Sequence, residues 1–231
     1  ITLGVKGILY VELTAKGANR DAHSSLGAIV ENPAWRLVWA LDSLKDRTGK
    51  ILIPGWYDDI IPPTPLDRAL LEAQPDLAGE YKQRYGIKEF LHGLHGGIDL
   101  KMATVFEPTC TICGLTSGYQ GAGSKTILPA QASAKVDFRL VPGQTIEKCL
   151  SLLRKHLDMQ GFSDIAIEFL GGGPAAKTNP EDPFIKLVMD TAEEIYEAKM
   201  ELIPMVGGSG PNYPFVHELK LPVASAGLGY P

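Results

Sequence analysis

The stretch from Gln131 to Phe169 constrains the fold more than any other part of the chain. Ala132, Ala134, Val136, Phe138 and Leu140 alternate with Ser133, Lys135, Asp137 and Arg139, the period of a strand with one buried and one polar face. Thr145 then stands as an N-cap, Ile146, Cys149, Leu150, Leu153 and Leu157 recur at helical spacing, and Gly161 lies where such a helix ends. Alternation returns through Ile165, Ile167 and Phe169 in DIAIEFL. Strand, amphipathic helix and strand in this order specify an α+β layer, in which the helix covers one face of a sheet.

The N-terminal half carries the same unit in looser form. Residues 5–14, VKGILYVELT, predict a strand, and Asn32 with Pro33 opens a helix over about 32–45 through Ala34, Leu37, Val38, Leu41 and Leu44. A Pro-rich segment with short helical patterns, about 47–102, interrupts the unit and predicts an insertion, and ATVFEPTCTICGL predicts a strand at about 103–115. The order β-α-(insertion)-β-β-α-β is that of a ferredoxin-like two-layer sandwich closing near residue 170. Beyond it, GGGPAAKTNPEDP predicts a linker and Asp182-Pro183 starts a helix through Phe184, Leu187, Val188, Thr191 and Ile195. The tail ELIPMVGGSGPNYPFVHELKLPVASAGLGYP predicts a short strand, a Gly-rich turn and another apolar strand. So short an α/β pattern buries no core of its own and predicts part of a larger domain at 181–231.

A formal charge of −5 over 231 residues lacks the basic footprint of nucleic-acid binding. No apolar run reaches membrane-spanning length and ITLGVKGILYVEL lacks a signal-peptide pattern, so the expectation is a soluble, cytoplasmic protein. The three cysteines form no paired framework, and Cys110 and Cys113, three apart on a strand, point to opposite faces. His156 and Asp158 sit two apart on a predicted helix, about 200° around its axis, and do not converge on one ion. Glu193 and Glu194 are mid-helix, His92 and His95 lack a committed carboxylate partner, and the runs Gly171–Gly173 and Gly207–Gly210 lack the lysine of a P-loop. His23 differs because it lies in a long polar loop, Gly17 to Ser25, between two core elements.

Several segments together resemble one family, the co-catalytic zinc exopeptidases and deacylases that include carnosinase-type dipeptidases, carboxypeptidase G, acetylornithine deacetylase and succinyl-diaminopimelate desuccinylase. Arg20-Asp21-Ala22-His23-Ser24 is similar to the R-D-x-H-S-G loop that follows the first lid strand, and Asp137 to Gln144 reads D-F-R-L-V-P-G-Q without change. Gly207-Gly208-Ser209 matches the G-G-S of the returning catalytic domain, and LKDRTGKILIPGWYDDI resembles the I-P-G-x-Y-D-D segment of the dipeptidase-type branch. Thr126 stands where many members carry Asn.

The resemblance implies a lid or dimerisation domain at 1–180 and an incomplete catalytic domain at 181–231. It implies a hydrolase for an amide bond next to a free carboxylate, in a small peptide or N-acyl amino acid, working as a homodimer. Two zinc ions are implied for the full-length enzyme, held by an H-x-D, a bridging aspartate and a Glu-Glu pair that this chain does not carry. No metal ligand is therefore assigned within it. His23 takes the role of the lid histidine that reaches the partner's active site and donates to the oxyanion. Arg139 takes that of the arginine gripping the substrate carboxylate, and Gly207, Gly208 and Ser209 those of backbone and hydroxyl donors to the terminal carboxylate. The competing expectation is a free-standing dimerisation or small-molecule-binding module, which gives no use to the unfinished piece at 181–231.

Overall fold

The computed structural model describes residues 1–226. The end of the expected apolar tail, 227–231, lies outside the described residues. In chain order the elements are β1 (Gly4–Val5), β2 (Gly7–Lys16), β3 (Ala22–His23), α1 (Pro33–Asp42), α2 (Pro65–Glu72), α3 (Ala78–Tyr85) and α4 (Gly97–Phe106). They continue with β4 (Thr109–Ser117), β5 (Ile127–Leu128), β6 (Gln131–Leu140), α5 (Ile146–Met159), β7 (Ala166–Gly173), β8 (Ala176–Lys177) and α6 (Pro183–Tyr196).

Four strands form one antiparallel sheet in the order β4-β6-β2-β7. At its centre β2 and β6 pair from Gly7↔Leu140 to Lys16↔Gln131. One face of the pair, Leu9, Val11, Leu13 and Ala15 with Ala132, Ala134, Val136 and Phe138, is buried in a single core with Leu37 and Ala40 of α1 and Cys149, Leu153 and Leu157 of α5. The helices start as the sequence dictates. Asn32 Oδ1 accepts the Ala34 N–H at 2.9 Å, and Thr145 Oγ1 accepts that of Lys148 at 3.3 Å.

The insertion is divided between two cores. Ile51, Ile53 and Trp56 enter the main one, where the Trp56 ring lies 4.8 Å from that of Phe138. Gln144 ties the V-P-G-Q turn to this segment: its Nε2 donates to Trp56 O at 2.8 Å and its Oε1 accepts the Val141 N–H at 3.0 Å. Farther on, Leu71 of α2 and Val105 and Phe106 of α4 pack with Ala175 and Met205. The insertion therefore braces the sheet against the C-terminal segment.

Three expectations from the sequence are corrected. The strand expected at about 103–115 begins only at Thr109, because Ile98, Met102 and Val105 share a helical face and α4 continues to Phe106 before Pro108 stops it. The expected linker is partly sheet: β7 runs to Gly173, and β8 pairs with β1 through Gly4↔Lys177 and Val5↔Ala176. In the tail, among the described residues, the pairing is confined to isolated bridges, Thr2↔Ile203, Val5↔Val206 and Thr2↔Ser225, with a single π-turn at Pro214–Glu218. Its hydrogen-bonding partner is the N-terminal strand, distant in sequence, so no local pattern carried it.

The edge strand β4 has a bulge between Ile112 and Gly114 that leaves Cys113 unpaired. Cys110 is buried and Cys113 exposed, as the alternation predicts. The extra residue also puts Ile112 and Leu115, opposite the buried Val136 and Ala134, on the helix side of the sheet. They are 51% and 57% exposed, and α1 also exposes Trp35, Val38 and Trp39, whose two indoles stack with centroids 6.0 Å apart.

His156 of α5 lies in the core with Nε2 at 3.1 Å from Ser43 Oγ and an unpartnered Nδ1. Burial lowers its pKa from the ordinary imidazole value, and the Ser43 contact opposes this. An unfolded histidine takes up its proton near pH ~6.5, whereas the folded ring stays neutral to lower pH. The unfolded state then binds more protons, so this contribution to stability is complete above pH ~6.5 and is lost as pH falls through the folded pKa. Urea midpoints should fall from neutral to mildly acid pH, and His156→Gln should remove part of that fall.

Candidate active site

The His23 loop is held by short pairing rather than by a core. β3 lies antiparallel to β5 with Ala22↔Leu128 and His23↔Ile127, the Ser24 N–H donates to Thr126 O at 3.0 Å, and Asp21 Oδ1 accepts the Ala130 N–H at 2.9 Å. His23 itself is exposed and caps the 3₁₀ turn Ser24–Ala28, its Nδ1 accepting the Ser25 N–H at 3.2 Å. Nδ1 also lies 2.8 Å from Ser25 Oγ, and Nε2 lies 3.1 Å from Thr126 Oγ1. With Nδ1 turned to Ser25, Nε2 is the ring nitrogen that faces outward from the loop.

A second group forms at the opposite end of the sheet. Arg139 Nη1 donates to Ser209 Oγ at 2.9 Å, and its Nε lies 3.2 Å from Asp137 Oδ2. The Lys6 N–H donates to Gly208 O at 2.9 Å, which fastens the Gly207-Gly208-Ser209 loop to the start of β2. Lys6 Nζ, buried, donates to Thr104 O at 3.1 Å and to Glu107 O at the end of α4. Burial pushes the Lys6 ammonium down to about 8, with Glu107 opposing the shift and Arg139 adding to it. Ser209 and Arg139 thus present a hydroxyl and a planar cation side by side.

Of the residues singled out in the sequence, Arg139 and Ser209 meet, and His23 does not join them. Arg139 pairs with Ile8 near one end of β6 and Gln131 with Lys16 at the other. The eight residue steps from Gln131 to Arg139 correspond to about 26 Å at ~3.3 Å per residue, and the His23 loop is fastened beyond the Gln131 end, at Ala130 and Ile127–Leu128, so His23 does not reach Arg139 of its own chain. Lys6, Asp137 and the Thr126 hydroxyl gained no site role from the sequence. Lys6 and Asp137 had a signal, a charged residue inside a strand pattern. Among the described residues, no group of three or more His, Cys, Asp and Glu side chains is placed to hold a metal ion. His156 is buried in α5, and Glu193 Oε1 accepts the Met200 N–H at 3.0 Å. His92 lies in a left-handed turn, φ 59°, apart from any helix shared with His95.

Residues 3–164 match the profile of the M20 peptidase dimerisation domain. The chain belongs to the M20 peptidase family. This M20 chain is 32% identical over 158 residues to the Cys-Gly metallodipeptidase DUG1 of Candida albicans, a match covering 68% of the chain and 32% of that protein. It is 30% identical over 159 residues to human Beta-Ala-His dipeptidase, covering 68% of the chain and 31% of the relative. Among solved structures it superimposes on the M20 family metallo-carboxypeptidase Sso-CP2 of Sulfolobus solfataricus with a TM-score of 0.87 at 36% identity, over 95% of this chain and 50% of that one. The matches span about a third of the curated relatives and half of the solved chain. No helix among the described residues of the M20 chain is long and apolar enough to cross a membrane.

Proposed function

We propose that this chain is the dimerising lid, with an adjoining part of the catalytic domain, of an M20 hydrolase that cleaves an amide bond next to a free carboxylate in a dipeptide or N-acyl amino acid. The observation that carries this is the Arg139–Ser209 hydrogen bond, which joins a lid strand to the G-G-S loop at 2.9 Å. A guanidinium grips a carboxylate through two parallel N–H donors, and an adjacent hydroxyl adds a third. The β4-β6-β2-β7 order with both helices on one face supports a ferredoxin-like lid. Its crossing to the catalytic segment falls at Lys6–Gly7 and Gly173–Ala175, where a Cβ on Gly7 would meet Ala175 N at 2.6 Å.

The lid forms a homodimer through β4 and α1. An unpaired edge with exposed Ile112 and Leu115, together with the exposed Trp35, Val38 and Trp39 of α1, offers apolar surface that a second copy covers isologously. Antiparallel pairing of two β4 edges sets the Ser117 end of one protomer beside the Thr109 end of the other. The partner's His23 then approaches the Arg139 and Ser209 group, to donate Nε2–H to the oxyanion formed on the scissile carbonyl. The residues described here do not fit a zinc centre. The two zinc ions of the complete enzyme are left to residues outside this chain, and no step is assigned to them. The three free cysteines suit a reducing cytoplasm.

Arg139→Ala tests the reading in the complete enzyme. A charge-assisted pair held equally in ground and transition states should raise KM by about 10–100-fold with kcat nearly unchanged. A loss confined to kcat would remove Arg139 from carboxylate binding.

A further inference from the structure

Directly after the His23 turn, Ile29 is 82% exposed and Leu26 39% exposed, an unusual pair of apolar side chains on a polar loop. Glu31, two residues on, turns an exposed carboxylate outward, its nearest cation being Arg36 at 3.7 Å. Elsewhere, between the insertion and the corner joining α4 to β4, a cavity of about 770 Å³ is walled by Phe90, Leu91 and Phe106 together with Lys50, Glu107 and Lys45, whose Nζ donates to Cys110 O at 3.0 Å. The loop and the cavity lie at opposite ends of α1. Residues 26–31 lead into its N-terminus and Lys45 follows its C-terminus.

A two-fold axis that pairs β4 edges antiparallel also runs the two α1 helices antiparallel. The approach to α1 in one protomer then lies beside Lys45–Lys50 of the other. We propose that residues Leu26–Glu31 of each protomer dock into this cavity of its partner, with Ile29 as the apolar anchor and Glu31 facing Lys45 and Lys50. The occupant is a second copy of this chain, and the inference rests on the β4/α1 homodimer proposed above. Apolar walls receive an apolar anchor, and two lysines against the one carboxylate of Glu107 leave a positive balance for a second carboxylate. Docking holds the His23 loop from both sides, which gives the insertion a function: it is the receptor that fixes a trans-acting histidine.

The test places benzoylphenylalanine at position 29 of the full chain, mixes it with ¹⁵N-labelled chain, irradiates after subunit exchange and maps the adducts by mass spectrometry. Adducts to labelled peptides covering 45–60 or 90–109 are expected. In parallel, light scattering should show Ile29→Asp raising the dimer dissociation constant about tenfold or more, with Met159→Asp on α5 neutral. A stable dimer whose adducts map elsewhere, or that Ile29→Asp leaves intact, overturns this inference alone. A wild-type chain that stays monomeric at all concentrations overturns the homodimer reading with it.

Discussion

His23→Ala is expected to lower kcat of the complete enzyme by about 10²–10³-fold, the usual cost of one positioned oxyanion donor, while dimer mass stays unchanged. The size follows from the ring's state. Nδ1 is occupied by Ser25, whose N–H and Oγ lie at 3.2 and 2.8 Å, so Nε2, 3.1 Å from Thr126 Oγ1, is the nitrogen left to face developing charge. The length of β6 sets the route, since about 26 Å of strand lies between Arg139 and the Gln131 end, beyond which this loop is fastened. Trans action has a distinctive signature. Mixing His23→Ala with Arg139→Ala chains makes heterodimers in which one site has an intact Arg139 from the first chain and an intact His23 from the second. With random exchange, half the dimers are mixed and one of their two sites is whole, so at substrate well below KM, where Arg139→Ala sites are nearly silent as well, about a quarter of wild-type activity should return. A mixture that recovers nothing after proven exchange removes the trans role.

The parts legible in the sequence are those whose signal is local. Thr145 and Asn32 cap the helices they were expected to cap, and the Ala132–Leu140 alternation becomes β6 with its apolar side in the core. Legibility failed where a neighbour distant in sequence decides the structure. The bulge at Cys113 lets residues three apart share a face, which the period of two does not foresee. Residues 103–106, Ala-Thr-Val-Phe, look like a strand because β-branched and aromatic residues follow one another there. The surrounding positions Ile98, Met102 and Val105 face Met205 and make the segment helical. In the site, the histidine loop and the arginine strand were both visible. Their separation, and the anchoring of the G-G-S loop by Lys6, needed the register of β2 with β6 and the contact of residue 6 with residue 208.

The largest stability effect is expected at Gly143, in the V-P-G-Q turn that follows Arg139. The turn is closed on the insertion by the Ile61 N–H donating to Pro142 O at 2.9 Å, and the fit leaves no room for a side chain. A Cβ on Gly143 would stand 1.9 Å from Asp59 O and 3.0 Å from Ile61 N, and its φ of +96° disfavours any other residue. Backbone on both sides has little freedom to withdraw, so overpacking and conformational strain add to about 3 kcal/mol or more for Gly143→Ala. Gly123 separates the two contributions. Its φ is +82° with nothing within 4 Å of a Cβ, so Gly123→Ala should cost only the strain, about 1 kcal/mol. Urea unfolding at constant m reads both. A lid that loses the Gly143 contact also loses the close seat of Pro142, one residue nearer to Arg139, so the Gly143→Ala enzyme should bind substrate more weakly while the Gly123→Ala enzyme does not. Equal losses of stability in the two variants would mean that the insertion yields to the added methyl, and that the turn is not the rigid joint between the sheet and the Ile51–Ile61 segment.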